Sequence, residues 1–397
     1  MQKTTNNIVL IKSMPTEMLL LLELSQNKIY FNNQAIAKLI EEEIDWKIFN
    51  KLVERHRMIP LIYSSIMQFK KIIPDNEFHL LEDNFKANQK RMMLLAGELN
   101  SIYNIFNSSN IPVLTIKGTP LAIEIYNNVA MRSSRDIDIL VAPEDIDKSV
   151  LLLEKIGYKT TVPAFQLTPY QTKIYRKTLH HLTLKKPNGA MIELHWRLFT
   201  PFSFFPKNTN QLFQNAISVN HFDSKINILD PETNLLYLMV HGSVHRWYQL
   251  YWIKDLSEFL YQHPELNMNR VIQRAIELDV LQSIKLGFVM TNLFYKNTFP
   301  PSLNQDKNTK LLCNKSIDII KSSIDKVLSR KLDRVNRLTY LISLQQKWSS
   351  KFNILINSMV NYRDWNNLKL PDSLFFLYYP LRPFLWIYSA YIKNEKK

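Results

Sequence analysis

The chain has 397 residues, 46% of them hydrophobic and 21% charged, so it can bury a large core and global disorder is not expected. It contains six glycines, one cysteine (Cys313) and no G-x-G-x-x-G or Walker A pattern, which argues against Rossmann-type and P-loop nucleotide binding and excludes internal disulfides and cysteine-based zinc sites. The formal net charge of +15 predicts a surface that attracts polyanions such as nucleotides or phosphorylated sugars, although abundant lysine alone explains the same excess.

The first predicted region, residues 1–107, is helical. Side chains from Trp46 to His56 recur at three- and four-residue steps, which predicts one buried helix face. A longer helix is predicted over residues 80–106. Its predicted core contacts are Leu81, Phe85, Leu94, Leu95, Leu99 and Ile102. No residue pattern in this region is typical of catalysis.

The pattern changes at Ile111, where a predicted catalytic domain over residues 108–230 begins. Residues 111–116 are short and rich in β-branched side chains, which predicts a strand. Residues 117–120 predict a turn, and the proline in it predicts the start of a helix that runs through Tyr126.

A second strand is predicted over residues 134–141. Its alternation of polar and apolar residues places Asp136 and Asp138 on one face. A helix is then predicted from Pro143 to near Gly157.

A β-hairpin is predicted next, over residues 180–184 and 190–196. The connection contains an Asn-Gly pair at 188–189, which is a strong hairpin signal. On the second strand of this hairpin Glu193 and His195 share one face.

The last predicted region, residues 231–397, is again helical, with a helix start at Pro231. Residues 374–392 are apolar and about long enough to cross a bilayer, but two prolines and an arginine interrupt them. We therefore predict no transmembrane span and a cytoplasmic location. The segment is expected to be buried or to make a peripheral contact with a membrane or partner.

The two aspartates at 136 and 138 are the most informative feature of the sequence. Two carboxylates held this close repel each other, and a divalent ion with oxygen ligands, Mg²⁺ or Mn²⁺, would compensate them. An isolated Asp-x-Asp is more often a solvated strand face. Here apolar neighbours predict a central strand, where acids are costly unless they are used. Glu193 supplies a third carboxylate, and backbone N–H groups at Gly118 can hold a phosphate.

These residues also resemble a known family. Residues 116–121, 132–141, 192–196 and 241–243 resemble the core of the DNA polymerase β-like nucleotidyltransferase superfamily, and within it the bacterial subfamily of uncharacterised nucleotidyltransferases. The resemblance is strong over residues 110–260. It implies an α+β (mixed α/β) catalytic domain with a small mixed sheet and helical flanks.

The resemblance also implies roles for the individual residues. Asp136, Asp138 and Glu193 would bind Mg²⁺ or Mn²⁺ and act in catalysis, with Glu193 helping to deprotonate the acceptor. The amides of Gly118 and Thr119 would hold the β- and γ-phosphates of a nucleoside triphosphate. One departure is that the superfamily usually has Gly-Ser at this turn, nearer to the acids.

Basic side chains flank the predicted acids. Lys117, Arg132 and Arg135 could neutralise triphosphate charge, with arginine suited to bidentate contact. The alternative is that they pair with the same carboxylates or with surface acids.

Histidines complete the predicted site. His195 could contact the metal, the nucleotide or the acceptor, or it could be a structural histidine. His241 and His245 would share one helix face, where packing against the catalytic domain, near the acceptor, is favoured over zinc binding. His180 and His181 are adjacent on a predicted strand and receive no role.

The predicted activity is transfer of a nucleoside monophosphate from a nucleoside triphosphate to an unknown hydroxyl-bearing acceptor, with release of pyrophosphate. The acceptor could be a small molecule, a peptide or a protein. Two alternatives stay open: a toxin-type nucleotidyltransferase that acts on tRNA, and a catalytically silent nucleotide-binding or scaffold protein. No basic run is long enough for a nucleic-acid arm, so nucleic acid is the less favoured partner.

Overall fold

The computed structural model describes residues 14–42, 44–200, 209–322 and 330–391. Parts of all three predicted regions, and Ile392 at the end of the predicted apolar segment, lie outside these residues. The described residues form a mixed α/β structure with one seven-stranded mixed sheet and many helices. The predicted mixed α/β class is confirmed.

The sheet places the predicted aspartate strand near its centre. Its strands are β1 (Leu114–Thr115), β2 (Ile137–Leu140), β3 (Lys159–Val162), β4 (His181–Lys185), β5 (Met191–His195), β6 (Ile217–His221) and β7 (Ser224–Ile228). Their order is β3-β4-β5-β2-β1-β7-β6, and the pairs β2–β5 and β1–β7 are parallel. All four residues of β2 are buried, so the prediction of a central strand is confirmed.

The predicted hairpin is formed by β4 and β5, which pair antiparallel with Thr183 opposite Glu193. Its turn has Gly189 at φ +92°, a left-handed conformation that glycine adopts without strain. The Asn188 side chain accepts a hydrogen bond from the Ala190 amide at 3.0 Å and stabilises the turn. Local turn chemistry therefore fixes the register that places Glu193.

The helices before the sheet are α1 (Thr16–Leu24), α2 (Asn33–Glu41), α3 (Trp46–Arg55), α4 (Ile59–Ile66) and α5 (Asp75–Ser108). The last of these has 34 residues and begins earlier than predicted. Four of its predicted core residues are buried, Phe85 is half-buried, and Leu94 is 37% exposed. The prediction for Leu94 was wrong because it faces a groove that is described below.

The helices among the strands are α6 (Thr119–Tyr126), α7 (Ile146–Lys155), α8 (Pro169–Thr178) and α9 (Asn210–Gln214). Helix α6 follows Gly118, whose φ of +80° lies in the region that favours glycine, and carries Pro120 in its first turn. The predicted turn and helix at this point are confirmed. The helix predicted from Pro143 begins instead with a 3₁₀ turn and becomes α-helical at Ile146.

The helices after the sheet are α10 (Pro231–Val244), α11 (Leu250–Gln262), α12 (Met268–Glu277), α13 (Leu281–Tyr295), α14 (Lys307–Lys321), α15 (Arg330–Ser343), α16 (Trp348–Ser358), α17 (Tyr362–Asn367) and α18 (Tyr378–Tyr391). The predicted helix start at Pro231 is confirmed. In the part of the chain that the structure describes, no helix combines the length and apolar character that crossing a bilayer requires.

Two clusters of buried side chains hold these elements together. The larger one joins α1–α4 with α10, α11, α13 and α14, so helices from both ends of the chain share one core. The smaller one joins the second half of α5 with the sheet and with Trp365, Phe375 and Tyr378. The helical flanks therefore pack together around the strands that carry the acids.

Candidate active site

A cavity of about 440 Å³ lies between strand β5, the segment before β2, and helices α10 and α11. Asp136, Glu193 and His195 line its sheet side. Asp138 lies directly behind this wall with 0% of its surface exposed. The three acids predicted from the sequence are therefore gathered at one place.

The strand register explains why the acids meet. Strands β2 and β5 are parallel neighbours, and Asp138 is the partner of Glu193 in their register. Directly paired residues on adjacent strands project to the same face of a sheet. Asp136 precedes β2 by one residue and reaches the same region.

Asp138 has two cationic neighbours and one oxygen without a partner. Its Oδ1 lies 3.3 Å from His195 Nε2 and 3.4 Å from Lys117 Nζ. Its Oδ2 is buried and has no hydrogen-bond partner among the described residues. This oxygen is therefore available to a ligand that the described residues do not provide.

His195 links two of the acids. Its Nε2 lies 3.4 Å from Glu193 Oε2 as well as 3.3 Å from Asp138. Burial opposes its charge, but the hydrogen bonds to Asp138 and Glu193 raise the pKa of His195 to about 9. Burial would raise the pKa of Glu193, yet the hydrogen bond from His195 holds it below its usual value.

Asp136 and Lys117 show the same concentration of charge. Burial, and then the charge of Asp138, raise the pKa of Asp136 to about 6. Burial opposes the charge of Lys117, but the nearby Asp138 carboxylate raises the pKa of this lysine above its ordinary range. Negative charge thus predominates at the sheet wall, as a divalent cation site requires.

Two overlapping groups of side chains have the spacing of metal ligands. One is Asp138, Glu193 and His195, and the other is His180, His181 and His195; within each group the ligand atoms lie within 4.8 Å of one another. His180 Nδ1 lies 2.8 Å from Thr200 Oγ1, so its other ring nitrogen is left for a ligand. Neither His180 nor His181 was assigned a role from the sequence. The register of the predicted hairpin could have identified them, because it pairs His181 with His195.

The opposite wall of the cavity is aromatic. His241 and His245 at the end of α10 have ring centres 4.6 Å apart, so their predicted common helix face is present. Both rings lie close to Trp252 on α11, at 5.3 and 5.2 Å. Burial lowers the pKa of both histidines, which favours neutral imidazoles on this wall. Flat, largely apolar rings of this kind can contact a nucleobase.

The predicted basic residues divide between different environments. Lys117 lines the cavity, as do Arg57 and Arg337, which the sequence analysis did not identify. Arg132 also reaches the wall, but its Nε donates to Asp255 at 2.8 Å, and both side chains are nearly fully buried. Arg57 comes from the turn between α3 and α4, distant in the chain, so no local pattern could have indicated it.

Three predicted phosphate-binding residues do not line the cavity. Thr119 is 3% exposed, and its hydroxyl lies 2.9 Å from His221 Nε2. The hydroxyl that was expected near phosphate is therefore hydrogen-bonded to a buried histidine. Gly118 is buried beside it. Arg135 is exposed on the far side of its segment and lines a separate groove. Gly118 nevertheless lies beside Asp136, whose carbonyl oxygen is 4.0 Å from the position of a Cβ at Gly118. The phosphate-binding role of these three residues stays a prediction.

The fold and this site define a mixed α/β protein with a buried carboxylate–histidine centre. A family model described as "Uncharacterised nucleotidyltransferase" matches residues 42–296, and the chain belongs to this family. The family assignment supports nucleotidyl transfer as the general activity.

Two further comparisons are narrower. No curated protein matches the chain. Among solved structures, an antigenic nucleotidyltransferase-like protein from Paracoccidioides brasiliensis is similar to it at 13% identity, with 51% of this chain and 97% of that chain covered and a TM-score of 0.31.

Proposed function

We propose that the chain has a polymerase β-like catalytic core and transfers a nucleoside monophosphate from a nucleoside triphosphate to an acceptor hydroxyl, in a reaction that depends on a divalent metal. The observation that carries this proposal is the buried Asp138 Oδ2, which has no partner among the described residues although Glu193 and His195 lie beside it. A bound divalent cation would satisfy this oxygen.

The residues at the sheet wall fit a divalent ion. Asp138 and Glu193 would supply oxygen ligands and His195 a nitrogen, with Asp136 at the cavity edge. Oxygen donors suit Mg²⁺, and the added imidazole suits Mn²⁺. When bound, such an ion stabilises charge on phosphoryl oxygens and favours the deprotonated form of an attacking hydroxyl.

The remaining cavity residues can hold the nucleotide. Lys117, Arg57 and Arg337 lie around the acids and would contact the triphosphate oxygens. The base would lie against Trp252 and the two histidines of α10, where it is shielded from water. The base and the acids would then lie on opposite sides of one 440 Å³ cavity, with the triphosphate between them.

The proposed step is an in-line displacement. The acceptor oxygen forms a bond to the α-phosphorus, while the bond from this phosphorus to the oxygen that bridges to the β-phosphate breaks. Pyrophosphate leaves with the electron pair of that bond, and Glu193 takes the proton of the acceptor hydroxyl. Lys117 and Arg57 would stabilise the negative charge that develops on the leaving pyrophosphate.

The chain provides a matched control for a test of this proposal. Asp-Ile-Asp occurs a second time at residues 145–147, at the start of α7, where Asp147 is exposed and paired with Arg176. We would compare Asp136→Asn/Asp138→Asn with Asp145→Asn/Asp147→Asn. Each protein would be incubated with Mg²⁺ or Mn²⁺ and each labelled nucleoside triphosphate, with and without candidate acceptors. Pyrophosphate release and mass spectrometry of the products report the transfer.

The expected result is transfer by the wild type and by the 145/147 variant, and none by the 136/138 variant, with all three equally folded by circular dichroism. Undiminished transfer by the 136/138 variant would refute the proposal. If metal and nucleotide fail to raise the melting temperature of the wild type, a catalytically silent scaffold is the better description.

A further inference from the structure

A groove of about 790 Å³ lies beside the cavity, along the first half of α5, and the proposed reaction leaves it without a role. Residues 132–136 separate the two spaces. Arg132, Ser134 and Asp136 line the cavity, whereas Ser133 and Arg135 line the groove. A molecule in the groove is therefore one residue away from the acids.

Arg57 connects the two spaces, because it lines both of them. The residue has a φ of +55°, and its guanidinium lies 5.5 Å from the centre of the Tyr251 ring. Its Nε is buried and without a hydrogen-bond partner among the described residues. The Arg57 guanidinium thus places a positive charge, and an N–H donor without a partner, where the two spaces meet.

The groove carries an excess of unpaired positive charge. Besides Arg57 it is lined by Lys90, Arg91 and Arg135, and Glu54 is the one acid among the described residues that line it. Lys90, Arg91 and Arg135 are exposed, and none of them has an ion-pair partner within the described ranges. Arginines that converge on one concave surface without carboxylates are suited to bind phosphate.

An amide in the same groove indicates what the phosphate is attached to. Asn88 is 5% exposed, and its Nδ2 donates to the carbonyls of Ala130 and Arg132 at 3.0 and 3.1 Å. Its Oδ1 is consequently oriented as an acceptor, and no described residue donates to it. Asn84 adds a further amide to the lining. The Asn188 amide also lines the groove, but Ala190 and Glu98 already engage its two ends. Hydroxyl groups of a sugar would satisfy the amides of Asn84 and Asn88.

We propose that the groove binds the acceptor of the reaction, and that this acceptor is a phosphorylated sugar. The inference rests on the proposed function. The phosphate would be held by Arg91 and Arg135, and the hydroxyls by Asn84 and Asn88. The reacting hydroxyl would pass Arg57 toward Asp136. Among the described residues, none that lines the groove is aromatic, so the groove lacks the stacking surface that single-stranded nucleic acid requires.

The test compares two variants with the same change in net charge. Arg91→Glu/Arg135→Glu alters the groove, while Lys47→Glu/Lys51→Glu alters exposed residues of α3 that do not line it. Calorimetry would measure the affinities of a hexose 6-phosphate, the unphosphorylated hexose, an RNA decamer and a non-hydrolysable nucleoside triphosphate analogue. The sugar phosphate would be titrated with and without saturating analogue.

We expect the groove variant to bind hexose 6-phosphate at least about tenfold more weakly than the wild type, and the α3 variant to bind it within about twofold. The unphosphorylated hexose should bind neither detectably. Affinity for the triphosphate analogue should stay within about twofold in both variants, because the cavity is unchanged.

Three results would overturn the proposal. The groove variant could bind sugar phosphate like the wild type, it could lose triphosphate affinity to the same extent, or the RNA could be the ligand whose binding is lost. If the charge reversal impairs folding, Arg91→Gln/Arg135→Gln replaces it. A wild type that releases no pyrophosphate but binds sugar phosphate in the groove would contradict the proposed function alone.

Discussion

The cavity and the groove adjoin each other across residues 132–136, yet their charges are arranged in opposite ways. In the cavity, Arg132 is buried against Asp255 and Lys117 contacts Asp138, so these two basic groups already have acidic partners. Arg57 and Arg337 also line the cavity and have no ion pair among the described residues. In the groove, Arg91 and Arg135 have no such partners among the described residues. At the sheet wall of the cavity, a carboxylate oxygen of Asp138 is unsatisfied, whereas the groove presents exposed cationic groups without acidic partners among the described residues.

This difference indicates the sign of what each space binds. A site tends to leave uncompensated the charge that its ligand neutralises. The cavity is therefore suited to a cation, with a nucleotide around it, and the groove to an anion. Four substitutions would break or sharpen this comparison, and they follow in order of decreasing effect.

The largest effect is expected for Glu193→Gln. It removes one carboxylate of the proposed cation site, and we expect the rate of nucleotidyl transfer to fall about a thousandfold. Affinity of the groove for hexose phosphate should be unchanged. Steady-state pyrophosphate release measures the rate, and Glu144→Gln, at an exposed carboxylate, is the control. A loss smaller than about tenfold would show that Glu193 is not needed at the centre.

The second effect concerns stability rather than catalysis. Arg132→Met would leave Asp255 buried without its cation, and we expect the free energy of unfolding to fall by about 3 kcal/mol. Urea denaturation measures the change. The double variant Arg132→Met/Asp255→Leu should recover part of the loss. An unchanged free energy of unfolding would instead leave Arg132 free to bind triphosphate.

A smaller effect is expected for Thr119→Val. The substitution removes the hydrogen bond to His221, which should lower the free energy of unfolding by about 1 kcal/mol. Affinity for a triphosphate analogue should not change, because the hydroxyl does not line the cavity. A tenfold loss of that affinity, about 1.4 kcal/mol, would restore the phosphate role predicted from the sequence.

The smallest effect on stability is expected for Arg135→Ala. The side chain is exposed and unpaired among the described residues, so the free energy of unfolding should change by less than about 0.5 kcal/mol. Affinity for hexose phosphate should nevertheless fall. A loss of stability as large as that of Arg132→Met would mean that both arginines are structural, and the contrast between the two spaces would disappear.

The sequence predicted those parts of the fold whose signals are local. The Asn-Gly turn and the period-two pattern around Glu193 gave the hairpin, and the alternation around Asp138 gave the central strand. Strands β6 and β7 had no comparable turn signal and were not predicted. The exposure of Leu94 depends on what packs against α5, which no local periodicity contains.

The site residues, too, were predictable only where their signals are local. Asp136, Asp138 and Glu193 were identified because acids between apolar residues on a strand are unusual. The environment of Thr119 depends on His221, about one hundred residues further along the chain, and Arg57 comes from the helices before the sheet. Such contacts arise from tertiary packing between segments that are distant in the chain, so a local sequence pattern does not predict them.

The alternation within residues 132–136 has a consequence for how this segment can change in length. Inserting or deleting a single residue would turn each following side chain to the opposite face. Arg135 would then point to the cavity and Asp136 to the groove. A change by two residues would leave both side chains on their present sides. Changes by an even number of residues would therefore keep Asp136 in the cavity and Arg135 in the groove, whereas changes by an odd number would not.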